Sequence, residues 1–138
     1  MRIEVSRDVF RLAQVFTISR GSRTEAQVLT VRITDGGVTG WGECVPYARY
    51  GETLESVTAE IEALRGPLTR DALYDLLPAG AARNAVDCAL WDLQAKQAGK
   101  PVWELAGLAR PGPEITAFTL SLDSPEKTRP QAALHAHR

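Results

Sequence analysis

The sequence predicts an α+β fold, and three observations predict it. Apolar residues recur at every second position from Ile3 to Val5 and again from Leu29 to Ile33, then at three- and four-residue intervals from Leu54 to Leu64 and along Ala82 to Leu93. After Arg110-Pro111-Gly112-Pro113, a strand pattern runs directly into a helix pattern. The expected architecture is a three-stranded antiparallel sheet followed by a small helical bundle, with the first strand–helix unit of an incomplete (β/α) barrel behind it. Residues 1–110 are expected to form one domain, and residues 111–138 a linker with that single unit.

Ile3 and Val5 alternate with charged neighbours, and Leu29, Val31 and Ile33 alternate with Val28, Thr30, Arg32 and Thr34. A period of two gives strands with one face in a core. Asp35-Gly36-Gly37 supplies the positive-φ residues of a tight hairpin, so Val38 to Cys44 is the return strand. Gly40 and Gly42 leave bare backbone on either side of Trp41, which predicts the close approach of another element. Gln14 to Ala26, with Gly21 at its centre, reads as a polar loop longer than a hairpin needs, and such loops often carry function.

Leu54, Val57, Ile61 and Leu64 then form one helical stripe, capped by Thr53 and stopped by Gly66-Pro67, with Glu52 and Glu55 near the positive end of its dipole. A short helix from Thr69 or Arg70 to Leu77 precedes Pro78-Ala79-Gly80. The longest helix runs from Ala81 to Ala98. Its face of Ala82, Val86, Ala89, Leu90 and Leu93 is apolar, and Gly99 with Pro101 ends it. Pro101 to Leu105 adds one turn. Ile115 to Leu122 reads as a strand, and Ser124-Pro125 opens a last helix. Trp41, Trp91 and Trp103 are expected to pack in the core or between domains.

Composition removes whole classes of function. At 44% hydrophobic and 24% charged, 138 residues suit one ordinary globular domain rather than a disordered chain. A net charge of −1, with 16 basic residues scattered rather than clustered, gives no general attraction to nucleic acid or anionic membranes. No apolar run approaches the ~20 residues of a membrane helix, and the charged start has no signal-peptide core; a cytoplasmic location is expected. Cys44 and Cys88 have no metal-type spacing and are expected to be reduced, buried thiols. His135-Ala136-His137 looks ligand-like but sits in what is expected to be a frayed tail.

Particular stretches resemble a known family. Gly40-Trp41-Gly42-Glu43 resembles an element of the muconate-lactonizing and mandelate-racemase branch of the enolase superfamily, and Ala82 to Leu93 resembles that branch's long cap helix. Ile18-Ser19-Arg20-Gly21-Ser22-Arg23, together with Pro46-Tyr47-Ala48-Arg49-Tyr50-Gly51-Glu52, is most similar to dipeptide epimerases of the L-Ala-D/L-Glu type. The resemblance covers essentially the entire chain. It implies a capping domain whose two loops close over a barrel mouth and choose the substrate. In the family, Mg²⁺ stabilises the enediolate formed when a proton α to a carboxylate is removed, two barrel lysines exchange that proton, and three barrel carboxylates hold the metal. The resemblance places the Lys-x-Lys motif on the next barrel strand, and Lys96, Lys100 and Lys127 do not match it.

No catalytic residue and no metal ligand is therefore expected here, and the chain alone is expected to be inactive. Substrate-binding candidates are Arg20, Arg23, Tyr47, Arg49, Tyr50 and Phe16. By the family's pattern, Arg20 pairs with the acidic side chain of a dipeptide, since a guanidinium matches a carboxylate bidentately. Arg23 offers the same chemistry. Tyr47, Arg49, Tyr50 and Phe16 are expected to wall the pocket. Glu43 reads as structural, and Asp87 and Asp92, five apart, do not share a helix face. Two other readings stay open: a non-enzymatic module that associates with a barrel-bearing partner or a second copy, and the cap of a muconate cycloisomerase or o-succinylbenzoate synthase.

Overall fold

Gly36 and Gly37 adopt φ of 56° and 80°, the left-handed pair that lets two strands reverse with no intervening loop. The turn sets the register of β2 (Gly21–Asp35) against β3 (Val38–Cys44), from Asp35 opposite Val38 to Leu29 opposite Cys44. With β1 (Arg2–Ile18) they form a sheet of order β1-β2-β3. The computed structural model describes residues 1–136. His137 of the expected tail lies outside them; His135 is helical and its ring stacks on Phe118 at 3.9 Å.

The chain divides into two compact units, Met1–Asp8 with Gln27–Pro111, and Val9–Ala26 with Gly112–Arg138. The first unit holds the buried core. Leu29, Val31 and Ile33 point from β2 into one apolar cluster with Val57 and Ile61 of α1 (Leu54–Ala63), Leu73 of α2 (Arg70–Leu76), and the predicted face of α3 (Ala81–Ala98). The helix ends follow local chemistry. Thr53 and Ser56 form a reciprocal capping box on α1, Thr69 caps α2, and Gly99 at φ 62° closes α3.

The paired glycines explain how α3 seats on the sheet. A Cβ on Gly40 would lie 2.1 Å from the Ala89 carbonyl oxygen, and one on Gly42 would lie 2.0 Å from that of Ala85. The helix backbone thus rests directly on β3. Asp92 fastens the same contact by accepting from the Trp41 backbone N–H at 2.8 Å and from Lys96. Pro101 leads into the single turn α4 (Val102–Leu105).

Several expectations are corrected. Gln14 to Ala26 is not a loop: β1 and β2 continue as a ribbon in the second unit, reversing at Ser19-Arg20. Val15-Phe16-Thr17-Ile18 is β-branched and aromatic, and such residues suit an extended pair better than a coil. Ile115 to Leu122 forms no strand, because a strand needs a ladder. Among the described residues this stretch pairs with β1 only at its end, where Leu122 N–H donates to the Thr17 carbonyl at 2.8 Å. The helix beyond it, α5 (Pro125–His135), does form, with Pro125 in its first turn. Trp41 is half exposed on the sheet face away from α3, with the Arg32 guanidinium 5.6 Å from its ring centre. Trp91 lies beneath the Arg70 guanidinium at 3.4 Å.

The two thiols also differ. Cys44 is buried beside α3, whereas Cys88 is exposed, on the far side of α3 from the buried stripe. Burial, reinforced by Glu52 and Glu43, pushes the Cys44 thiol up from 9.0 to about 11. At pH 8 its thiolate is then about one part in a thousand. Iodoacetamide at pH 8 is expected to alkylate Cys88 in the folded chain and Cys44 only after denaturation. Peptide mass mapping reads the order, and equal native labelling of both would contradict it.

Candidate functional site

In the first unit, the segment after β3 folds into a 3₁₀ turn, Ala48–Tyr50. Tyr50 N–H donates to the Tyr47 carbonyl at 2.9 Å, and Gly51 N–H donates to that of Ala48 at 3.0 Å. Gly51 sits at φ 78°, so the chain can turn back into Thr53 and α1. The turn brings the Tyr47 and Tyr50 rings to 5.7 Å at 55°, a tilted aromatic pair. Tyr50 is 76% exposed and Tyr47 half-buried. With Cys44, Glu52, Ser56 and Asn84 they border a cleft of about 690 Å³. Arg49 is exposed on the same turn and does not line that cleft.

Glu52, which its position beside Thr53 assigns to the start of α1, turns its carboxylate elsewhere. Oε1 accepts from Ala81 N–H at 2.7 Å and Oε2 from Tyr47 N–H at 3.0 Å. The Thr53–Ser56 capping box already serves α1.

In the second unit, Arg20 stands at the tip of the β1–β2 ribbon and is exposed, as is Arg23 on the outgoing strand; Phe16, on the incoming strand, is half-buried. Both guanidiniums are exposed, and among the described residues neither makes an ion pair with a carboxylate. Ser121 steadies the ribbon just behind the tip. Its Oγ accepts from Thr17 N–H at 2.9 Å and donates to the Val15 carbonyl at 3.2 Å. Thr17, Ile18 and Ser19 border a second cleft of about 560 Å³ with Leu120, Leu122 and Thr128. The structure thus brings Tyr47 and Tyr50 together in one unit, and Phe16, Arg20 and Arg23 onto one ribbon in the other.

No three side chains of His, Cys, Asp or Glu gather into a potential metal site among the described residues. The donor set of the described residues therefore does not fit a resident Mg²⁺. No helix among the described residues is long and apolar enough to cross a membrane.

Residues 2–107 match the family described as mandelate racemase/muconate lactonizing enzyme, N-terminal domain. The chain belongs to that family. As the amino-terminal domain of the enolase superfamily, it is similar over 129 residues, at 44% identity, to the L-Ala-D/L-Glu epimerase of Escherichia coli K12, covering 91% of this chain and 40% of that protein. It is 45% identical over 105 residues to an N-acetyl-D-glutamate racemase of a Pseudoalteromonas species, covering 72% of this chain and 33% of the relative. Among solved structures, an enolase family member from Agrobacterium tumefaciens with homology to dipeptide epimerases, holding sodium and L-Ala-L-Glu, superposes with a TM-score of 0.91 at 48% identity. That match covers 99% of this chain and 43% of that one. A dipeptide epimerase from Methylococcus capsulatus, complexed with Mg and L-Arg-D-Lys, gives 0.84 at 32% identity over 98% of this chain and 42% of its own. The chain thus spans between 33% and 43% of the length of these relatives.

Two structurally important side chains, Glu52 and Ser121, were not among the sequence candidates. A signal for the first was present: α3 starts after Gly80, which has no side chain to cap it, and carries no acid in its first turn. Nothing local marks Ser121, whose partners lie more than a hundred positions away.

Proposed function

We propose that this chain is the substrate-specificity cap of a Mg²⁺-dependent dipeptide epimerase that moves the proton on the carbon α to a carboxylate. Residues 1–110 would be the cap, and residues 111–138 the linker and first strand–helix of a barrel that carries the metal and the bases. The observation carrying the reading is the 0.91 superposition, at 48% identity over 99% of the chain, on a structure that holds L-Ala-L-Glu. Arg20 at an exposed ribbon tip, with no carboxylate partner among the described residues, fits recognition of an acidic second residue; Arg23 is its nearest chemical equivalent. Tyr47 and Tyr50 provide a ready aromatic wall in the first unit, and Arg49 and Phe16 are further substrate-contacting candidates. Two free thiols accord with a reducing, cytoplasmic setting.

A second reading has one observation in its favour. The 45% identity to an N-acetyl-D-glutamate racemase raises an N-acylated glutamate as the substrate, which offers the same side-chain carboxylate to Arg20.

The test grafts residues 1–138 in place of the corresponding stretch of the E. coli relative. Proton NMR in D₂O with Mg²⁺ then follows exchange of the substrate α-proton. The graft is expected to exchange the glutamate α-proton of L-Ala-L-Glu, and the 138-residue chain alone to exchange nothing. A folded graft active on N-acetylglutamate and inert on L-Ala-L-Glu would establish the second reading; exchange by the isolated chain would overturn the cap assignment.

A further inference from the structure

α3 is the rigid centre of the first unit, since its backbone lies directly on Gly40 and Gly42 of β3. Its amino-terminal end lacks the usual provisions. The residue before it, Gly80, has an extended φ of 167° and no side chain, and its first turn contains no acid. An orphan N–H at a helix start is normally met by a Ser, Thr, Asp or Asn at that position. Here the need is met from 29 positions earlier, by Glu52 Oε1 on Ala81 N–H at 2.7 Å. The other oxygen of the same carboxylate holds Tyr47 N–H at 3.0 Å.

We propose that Glu52 is a positioning residue, a two-ended clamp that sets the Tyr47–Tyr50 pair against the start of α3. The backbone under the aromatic pair is one closed turn, because Tyr50 N–H donates to the Tyr47 carbonyl. Holding Tyr47 N–H therefore holds the stretch of main chain from which both rings project. From β3 to α3, through the Glu52 carboxylate, to the main chain of the two tyrosines runs a continuous line of contacts that ends at the cleft of about 690 Å³. Gly80 is the complement of the clamp. A Cβ there would lie 2.9 Å from Glu52 Oε1, so a capping residue at position 80 would crowd the carboxylate and make it shift. A local cap would serve α3 alone; the distant one serves α3 and the loop together. The inference deepens the proposed function and rests on it only in taking this cleft to face the substrate.

Three variants test it, first by amide exchange and thermal melting of the 138-residue chain, then by kinetics in the E. coli graft. Glu52→Gln has the same shape, lacks the charge, and keeps one carbonyl oxygen for two donors. It is expected to raise exchange at the Tyr47 amide about tenfold, with Val31 and Leu90 unchanged, and to raise KM for L-Ala-L-Glu about tenfold with kcat within about twofold. Gly80→Ser combined with Glu52→Gln gives α3 a local cap. The melting temperature is expected to recover, while the Tyr47 amide stays fast and KM stays high. Thr69→Ala removes a cap of similar worth from α2 and is expected to change neither the Tyr47 amide nor KM. A Tyr47 amide as protected in Glu52→Gln as in the parent would overturn the clamp. Return of KM to the parent value in the double variant would reduce Glu52 to a helix cap. If the parent graft itself turns over nothing, the proposed function fails, and the Tyr47 amide still decides the clamp.

Discussion

Replacing Gly42 by alanine is expected to destabilise the chain by about 3 kcal/mol or more. The added methyl would sit 2.0 Å from the Ala85 carbonyl oxygen and 2.9 Å from the Ala89 backbone nitrogen. Both are main-chain atoms of α3, so no rotamer change relieves the overlap; the helix must lift off the sheet. Lifting would open the contact between Leu29, Val31 and Ile33 on one side and Val86, Leu90 and Leu93 on the other, which is most of the core. It would also stretch the Asp92 carboxylate away from Trp41 N–H. Urea unfolding followed by circular dichroism measures the effect. Gly112→Ala is the matched control, since nothing lies within 4 Å of a Cβ built there. A Gly42→Ala chain with the parent's urea midpoint would show that α3 does not rest on β3 as described.

That contact illustrates why part of the fold could be read from the chain alone. Gly40-Trp41-Gly42, the Gly36-Gly37 turn, the Thr53 and Thr69 caps and the apolar stripe of α3 all express constraints a few residues long, and each stands where its local chemistry put it. The misreadings share a different cause. Gln14 to Ala26 looks like a loop because its polar residues face solvent on both sides of a ribbon, a pattern with no period to detect. The apolar and hydroxyl residues of 115–122 have the composition of a strand, yet strand formation depends on neighbours that composition cannot show. Ile115 and Phe118 accordingly stand exposed among the described residues.

The candidate site divides the same way. Tyr47 and Tyr50 are three apart on a turn closed by Gly51, and their pairing follows from that spacing. Arg20 is at a tip because only a two-residue reversal separates β1 from β2, whichever way the flanking residues are classed. Glu52 escaped because its two partners are Tyr47 and Ala81, one near in sequence and one far. A carboxylate beside a threonine cap reads most simply as part of that cap. The missing cap at Gly80 was the only hint, and it shows that a helix start without a provision of its own directs attention to a distant side chain.

The largest functional effect is expected at Arg20. In the E. coli graft, Arg20→Ala is expected to lower kcat/KM for L-Ala-L-Glu about a hundredfold, and for L-Ala-L-Ala by no more than about threefold. The size follows from the cost of leaving a desolvated carboxylate without its charged partner, on the order of 2–5 kcal/mol, at roughly 1.4 kcal/mol per factor of ten. The asymmetry between the two dipeptides is the essential part. A loss through misfolding or a displaced ribbon would fall on both substrates alike, whereas a lost ion pair falls only on the one with a side-chain carboxylate. Arg20→Lys separates charge from geometry. An ammonium keeps the attraction and forfeits the two parallel hydrogen bonds of a guanidinium, so an intermediate loss of about tenfold is expected. Arg23→Ala should cost less than Arg20→Ala, because Arg23 lies down the strand from the ribbon tip that Arg20 occupies. Equal losses on both dipeptides would remove Arg20 from substrate recognition and leave it a residue of the turn. A loss confined to L-Ala-L-Glu, graded from arginine through lysine to alanine, would place the acidic side chain of the substrate at the tip of the ribbon.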